Sequence, residues 1–167
     1  MAIPNRPRLM VVPTPTDIVV EITAAVGVVV AIATVVYYFP VLPAKIPTHF
    51  DITGAVDGWG PKSTLLMMPV VTLAMYILLS VVCLFPHTFN YPVAITEENA
   101  ERQYRIALTV IRWLKMEMVW MFACINMQTI QVALGNAKGM GPAFAFVSLG
   151  AITATIIVLL VRAYRAR

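Results

Sequence analysis

The side chains able to do chemistry gather in one stretch, residues 40–62, where His49, Asp51, Asp57, Trp59 and Lys62 stand among closely spaced prolines and glycines. One imidazole and two carboxylates so near each other could hold a metal or serve catalysis. A closed transition-metal site, however, takes three or four ligands and more nitrogen or sulfur than one histidine supplies. The plainer reading has His49 and the aspartates hydrogen-bonding turn backbone, with Trp59 resting at a membrane interface. The sharper reading makes Pro47, His49, Asp51, Gly54, Asp57, Trp59 and Lys62 an outward binding surface. The chain has no serine–histidine pairing, no glycine-rich phosphate loop and no His-Glu-x-x-His helix. It is therefore not read as an enzyme, and neither a cofactor nor a bound metal is expected.

A second constellation runs from Asn90 to Arg105. Thr96 is a good N-cap, and Glu97 and Glu98 complement the positive end of a helix that starts there. Glu98 with Arg102 and Glu101 with Arg105 are i,i+4 pairs in the favourable order. Tyr104, Ala107, Leu108, Ile111 and Leu114 form one apolar stripe. A solvated helix hugging the membrane interface is the default here. The sharper alternative is a docking face for a cytoplasmic partner, made by Glu98, Asn99, Glu101, Arg102 and Arg105. A third constellation, Glu117, Cys124, Gln128 and Gln131, falls on one face of a later helix. Inside a membrane such a face must meet protein or water. Interhelical hydrogen bonding is the favoured role, a pocket lining the alternative. Glu117 is expected to pair with Arg112 or with an arginine of the C-terminal tail.

The elements that position these residues are membrane spans. Hydrophobic residues make up 60% of the 167 and charged ones only 12%, half the roughly 25% usual for soluble domains. Four runs approach the roughly 20 apolar residues that cross a bilayer: about 18–39, 65–85, 113–134 and 142–161. Their lengths suit helices. The expectation is an all-α integral membrane protein with one structured extracytoplasmic loop. It divides into a cytoplasmic tail at 1–17, a four-helix transmembrane domain at 18–162 and a basic tail at 163–167. A helix starting near Thr96 would run unbroken into the third span, to Leu134, too long for the bilayer alone.

Basic residues set the direction. Arg6, Arg8, Arg102, Arg105, Arg112, Lys115, Arg162, Arg165 and Arg167 fall on one side of these spans, against Lys45, Lys62 and Lys138 on the other. The positive-inside rule then puts both termini in the cytoplasm and the 40–62 loop outside. This topology accounts for most of the net charge of +4, so no nucleic-acid partner is inferred. The C-terminal arginines suit anionic headgroups. Residues 1–16, with four prolines and two arginines, read as an extended polyproline-rich tail rather than a signal peptide. Ala24, Gly27 and Ala31, and again Gly150 and Ala154, are small-residue stripes that let helices approach. Cys83 and Cys124 lie in apolar runs and read as free, buried thiols.

The loop reads Leu-Pro-x-x-Ile-Pro-Thr-His-Phe-Asp-x-x-Gly-x-x-Asp-Gly-Trp-Gly-x-Lys, and the second constellation Asn-Tyr-Pro-Val-x-Ile-Thr-Glu-Glu-Asn-Ala-Glu-Arg-Gln-Tyr-Arg. Together, over about residues 18–116, they closely resemble the domain of unknown function found in SdpI-type bacterial membrane proteins. The resemblance implies an immunity-like role, since the best-known relatives protect a producing cell from its own secreted toxin. Some also signal by holding a cytoplasmic repressor at the membrane. By that analogy Pro47, His49, Gly54, Asp57 and Trp59 form the outward signature, and Glu98, Asn99 and Glu101 the inward one. The functional expectation is a non-enzymatic, multi-pass protein of the cell membrane whose loop binds a ligand, peptide or protein. The alternatives are an accessory subunit of a larger membrane complex and a metal-dependent membrane enzyme using the loop.

Overall fold

The computed structural model describes residues 6–141 and 143–166. It is mostly helical. Helix α1 spans Pro15–Tyr38, α2 Met67–Val82, α3 Ala100–Ala133 and α4 Ala143–Arg165. Between α1 and α2 lies a two-stranded antiparallel sheet, β1 (Lys45–Phe50) and β2 (Val56–Pro61), so the expected all-α architecture gains a small β-hairpin. Among the described residues three helices are long and apolar enough to cross a membrane: Pro15–Val41, Lys62–Val82 and Ala143–Arg165. Pro4, Pro142 and Arg167, which the sequence reading used for the tail, the fourth span and the charge asymmetry, lie outside the described residues.

The helix ends follow from local chemistry. Thr14 and Asp17 close a capping box, with Thr14 Oγ1 accepting from the Asp17 N–H at 3.2 Å and Asp17 Oδ2 accepting from the Thr14 N–H at 2.8 Å. Pro15 occupies the first helical position, where its missing N–H costs nothing. Pro40 stops α1, and the chain turns through a short 3-10 segment, Phe39–Val41. α3 ends in a Schellman motif: Gly135 takes φ +79°, its N–H bonds to Val132 O, and the Asn136 N–H to Gln131 O. At the other end of α3 the expected N-cap, Thr96, lies upstream of the regular helix. Thr96 and Asn99 exchange backbone-to-side-chain hydrogen bonds around a preceding turn, and α3 proper begins at Ala100. α3 then runs unbroken for 34 residues, about 51 Å at 1.5 Å per residue.

α3 is the post around which the bundle stands. α1, α2 and α4 all pack on it, and α1 does so most extensively. The stripe Ala24, Gly27 and Ala31 makes that seam: Ala24 and Ala31 are fully buried, and a Cβ on Gly27 would come within 2.7 Å of Val119 Cγ1. The hairpin sits on one end of the bundle. Its root is a buried cluster of Val35, Leu42, Ile46, Leu65 and Ile130, so strand and helix residues share one core.

At the opposite end the proline-rich segment is strapped across the fold rather than extended away from it. Arg6 Nη1 donates to Phe89 O at 2.6 Å, and the buried Tyr104 hydroxyl donates to Pro7 O at 3.0 Å. Gln103 Nε2 donates to the carbonyls of Ala163 and Ala166, both at 3.0 Å, tying the end of α4 to α3.

Candidate functional site

β1 and β2 pair from Lys45 opposite Pro61 to Phe50 opposite Val56, with register shifts on either side of His49. Asp51 builds the tip. Its Oδ1 accepts from the Thr53 hydroxyl at 2.6 Å and from the backbone N–H groups of Thr53 and Ala55. Those bonds, the Thr53 hydroxyl foremost, hold the Asp51 carboxyl below its ordinary range. Gly54 follows with φ +83°. There the hairpin meets the α3–α4 connection: the Met140 N–H donates to Gly54 O at 2.7 Å, and Ala55 bridges to Gly139. A Cβ on Gly54 would lie 1.6 Å from Met140 O, so only glycine permits this approach. Gln128 locks the same loop, its Nε2 donating to Gly139 O at 2.6 Å.

Above this base the structure brings His49 and Asp57 together. His49 Nδ1 lies 2.5 Å from Asp57 Oδ1, with 71% and 48% of the two side chains exposed. An ionised carboxylate can only accept, so with Asp57 ionised it is His49 Nδ1 that donates. Trp59 is also exposed. Lys62 turns inward instead: its Nζ donates to Phe39 O and Leu42 O and sits 4.9 Å above the Phe39 ring. Pro47 is buried in the hairpin root. Of the seven loop residues, then, Pro47, Asp51, Gly54 and Lys62 build the hairpin, while His49, Asp57 and Trp59 are presented by it. Among the described residues no three His, Cys, Asp or Glu side chains are grouped to hold a metal.

Beneath β1, between α2, α3 and α4, lies a groove of about 1020 Å³. Met67, Met68, Met121, Met140 and Phe144 line it, and Thr48, His49 and Asp51 stand at its hairpin side. Methionine walls are soft and adapt to varied apolar shapes.

The polar face of α3 is largely consumed within the chain. Besides the Gln128 bond, Gln131 Oε1 accepts from Asn136 Nδ2 at 3.0 Å. Glu117 Oε1 accepts from the Thr155 hydroxyl of α4 at 2.6 Å, not from Arg112 or a tail arginine as expected. Cys124 is exposed rather than buried. Of the inward signature, Asn99 is buried and bonds Ala94 O, and Glu101 pairs with Arg105 at 2.8 Å, while Arg105 Nη1 also reaches Val12 O. These residues mainly organise the entry to α3.

Sequence reasoning missed a buried ionic cluster. Lys115, 1% exposed, donates to both carboxylate oxygens of Glu21 and to Ser80 Oγ, and it lies 4.7 Å over the Tyr76 ring. Arg112 Nη1 is 3.3 Å from Asp17 and its Nε 3.5 Å from Glu21. The spacing held a signal: acids at 17 and 21, and bases at 112 and 115, each lie on one helical face. Also missed was Asn126, fully buried with neither amide atom hydrogen-bonded.

A domain of unknown function (DUF1648), of a membrane-associated family, is found at residues 26–73. It takes in the second half of α1, the whole hairpin and the start of α2. No curated protein and no solved structure matches the chain.

Proposed function

We propose that the chain is a four-span integral membrane protein of the cell membrane, both termini cytoplasmic, whose outward hairpin binds a ligand, peptide or protein without carrying out chemistry. One observation carries the reading. The hairpin is fixed at its root by the Ile46 cluster and at its tip by the Gly54–Met140 bond, yet it leaves His49, Asp57 and Trp59 exposed. Side chains held on a rigid support but unused by the fold are what recognition needs, because little ordering entropy is lost on binding.

The fourth span is α3. Its charges at Arg112 and Lys115 turn inward onto Asp17 and Glu21, and Glu117 onto the Thr155 hydroxyl, which makes a crossing with charged side chains tolerable. The cytoplasmic assignment of the termini rests on the lysine and arginine asymmetry. The likeness of the loop to SdpI-type proteins favours an immunity-like role, with the toxin or another extracytoplasmic partner meeting the His49–Trp59 surface. Signalling to a cytoplasmic regulator has weaker support, since Asn99 and Arg105 are already engaged within the fold.

A second reading, an accessory subunit of a larger membrane complex, draws on α4. That helix packs chiefly on α3 and leaves Phe146, Val147, Leu149 and Ile157 exposed. A metal-dependent enzyme ranks third, because His49 and Asp57 supply only two ligands. The deciding experiment is a gentle-detergent pull-down of the tagged chain with mass spectrometry of the companions. Capture of a peptide or protein that His49→Ala, Asp57→Ala or Trp59→Ala abolishes, with folding intact, supports the binding reading. A stoichiometric set of membrane subunits indifferent to those substitutions overturns it in favour of the second.

A further inference from the structure

We propose that the cleft between the start of α1, α3 and the last turns of α4 binds the headgroup of an anionic phospholipid. The inference rests on the four-span reading. α1 and α4 both pack on α3 and scarcely touch each other, which leaves a lateral slot of about 640 Å³ at the end of the bundle carrying the N-terminal strap. Arg105, Arg162, Thr16 and Trp113 face it.

The local charge balance favours an anion. Arg162 takes part in no salt bridge among the described residues. Arg105 donates to Val12 O and to Glu101, so most of the five N–H groups of its guanidinium remain. Two acids lie near. Asp17 is 3% exposed, accepts from Thr14 and Thr109 and has Arg112 beside it. Glu101 is spent on Arg105. At the mouth the Arg105–Glu101 and Arg112–Asp17 pairs cancel, which leaves Arg162 as the uncompensated cation.

The walls decide between a lipid and a free anion. Below the arginines the slot is lined by Ile106, Ala154, Val158 and Leu159. A soluble phosphate has no use for that surface, whereas an acyl chain does. Trp113 adds a ring of the kind that settles at headgroup depth. Basic pockets between helices on the cytoplasmic side are a recurring solution for anionic headgroups.

The full chain is reconstituted in vesicles of equal parts phosphatidylglycerol and phosphatidylcholine, extracted in mild detergent, and its retained lipids are counted by native mass spectrometry. Retention should favour phosphatidylglycerol about fivefold, the preference one surface arginine confers. Arg162→Gln should bring the ratio close to one, while Arg165→Gln, on the same helix but outside the cleft, leaves it unchanged. Equal retention of both lipids overturns the site. So does an equal loss in both variants, which would mean diffuse attraction, or displacement of the retained lipid by inorganic phosphate, which would mean a soluble-anion site. Failure of the protein to float with the vesicles would remove the four-span reading itself. Insertion without lipid preference removes the cleft alone.

Discussion

The Nζ of Lys115 and the carboxylate of Glu21 meet at 2.7 Å although 94 residues separate them in the chain. Their environments are unequal: 1% of the Lys115 side chain is exposed against 32% of Glu21. The two ends of the pair should therefore respond differently to truncation. Glu21→Ala leaves an enclosed ammonium without its counter-charge and should cost about 3–5 kcal/mol. Lys115→Met leaves a carboxylate with partial access to polar surroundings and with Arg112 still near, and should cost about 1–2 kcal/mol. Thermal unfolding in detergent would show it, and Lys115→Met proving the worse of the two would refute the account.

Gly54→Ala should detach the hairpin tip from the α3–α4 connection. The substitution combines a left-handed φ of +83° with a Cβ placed on the Met140 carbonyl. A loss of at least about 1–3 kcal/mol is expected, together with faster proteolysis between residues 51 and 56. Gly135→Ala carries the φ penalty but meets open space, so about 1 kcal/mol suffices there.

Acid should loosen the hairpin tip before the bundle. The Asp51 carboxyl is held below its ordinary 3.8 by the Thr53 hydroxyl and the Ala55 and Thr53 N–H groups. A lowered folded value means the ionised form stabilises the tip above pH 3.8. That contribution disappears as pH falls through the still lower folded value. Protection of the Thr53 and Ala55 amides, taken relative to their intrinsic exchange rates at each pH, should fall across that interval in the native chain. In Asp51→Asn that protection should be low throughout, and a native chain whose protection does not change with pH would contradict the assignment.

Tyr104→Phe should release the N-terminal strap. The variant leaves Pro7 O unpaired, costs about 1 kcal/mol, and should quicken proteolysis over residues 8–12 with little change in α2. Alkali acts nearby. Burial raises the Tyr91 hydroxyl above its ordinary 10, so its unionised form stabilises this end below pH 10. That support fades as pH climbs from 10 toward the higher folded value, which tyrosinate absorbance on titration would follow.

The apolar helices could be read directly because each one's composition already states its environment. α3 was legible in extent but not in partners. Arg112 and Glu117 look like neighbours in sequence, yet five helical steps separate them by about 140° around the axis. Arg112 therefore reaches Asp17, and Glu117 turns to Thr155. The hairpin hid for a different reason. Lys-Ile-Pro-Thr-His-Phe and Val-Asp-Gly-Trp-Gly-Pro show neither β-branched enrichment nor clean alternation. The strands exist because Ile46 seats in the helix core and Gly54 locks the tip, and both are long-range events. Lys115 was read as one of the residues that set direction, and nothing local announced that it would be enclosed.

The ordering of the ionic cluster has a consequence for synthesis. Asp17 and Glu21 leave the ribosome with α1, whereas Arg112 and Lys115 follow some 94 residues later. At 5–20 residues per second that is a wait of about 5–20 s. During it, a nascent α1 fully seated in lipid would hold two carboxylates with no cation to meet them. The first helix is thus expected to linger with its leading turns at the water boundary, or under the care of the insertion machinery. It settles to full depth only when the third arrives.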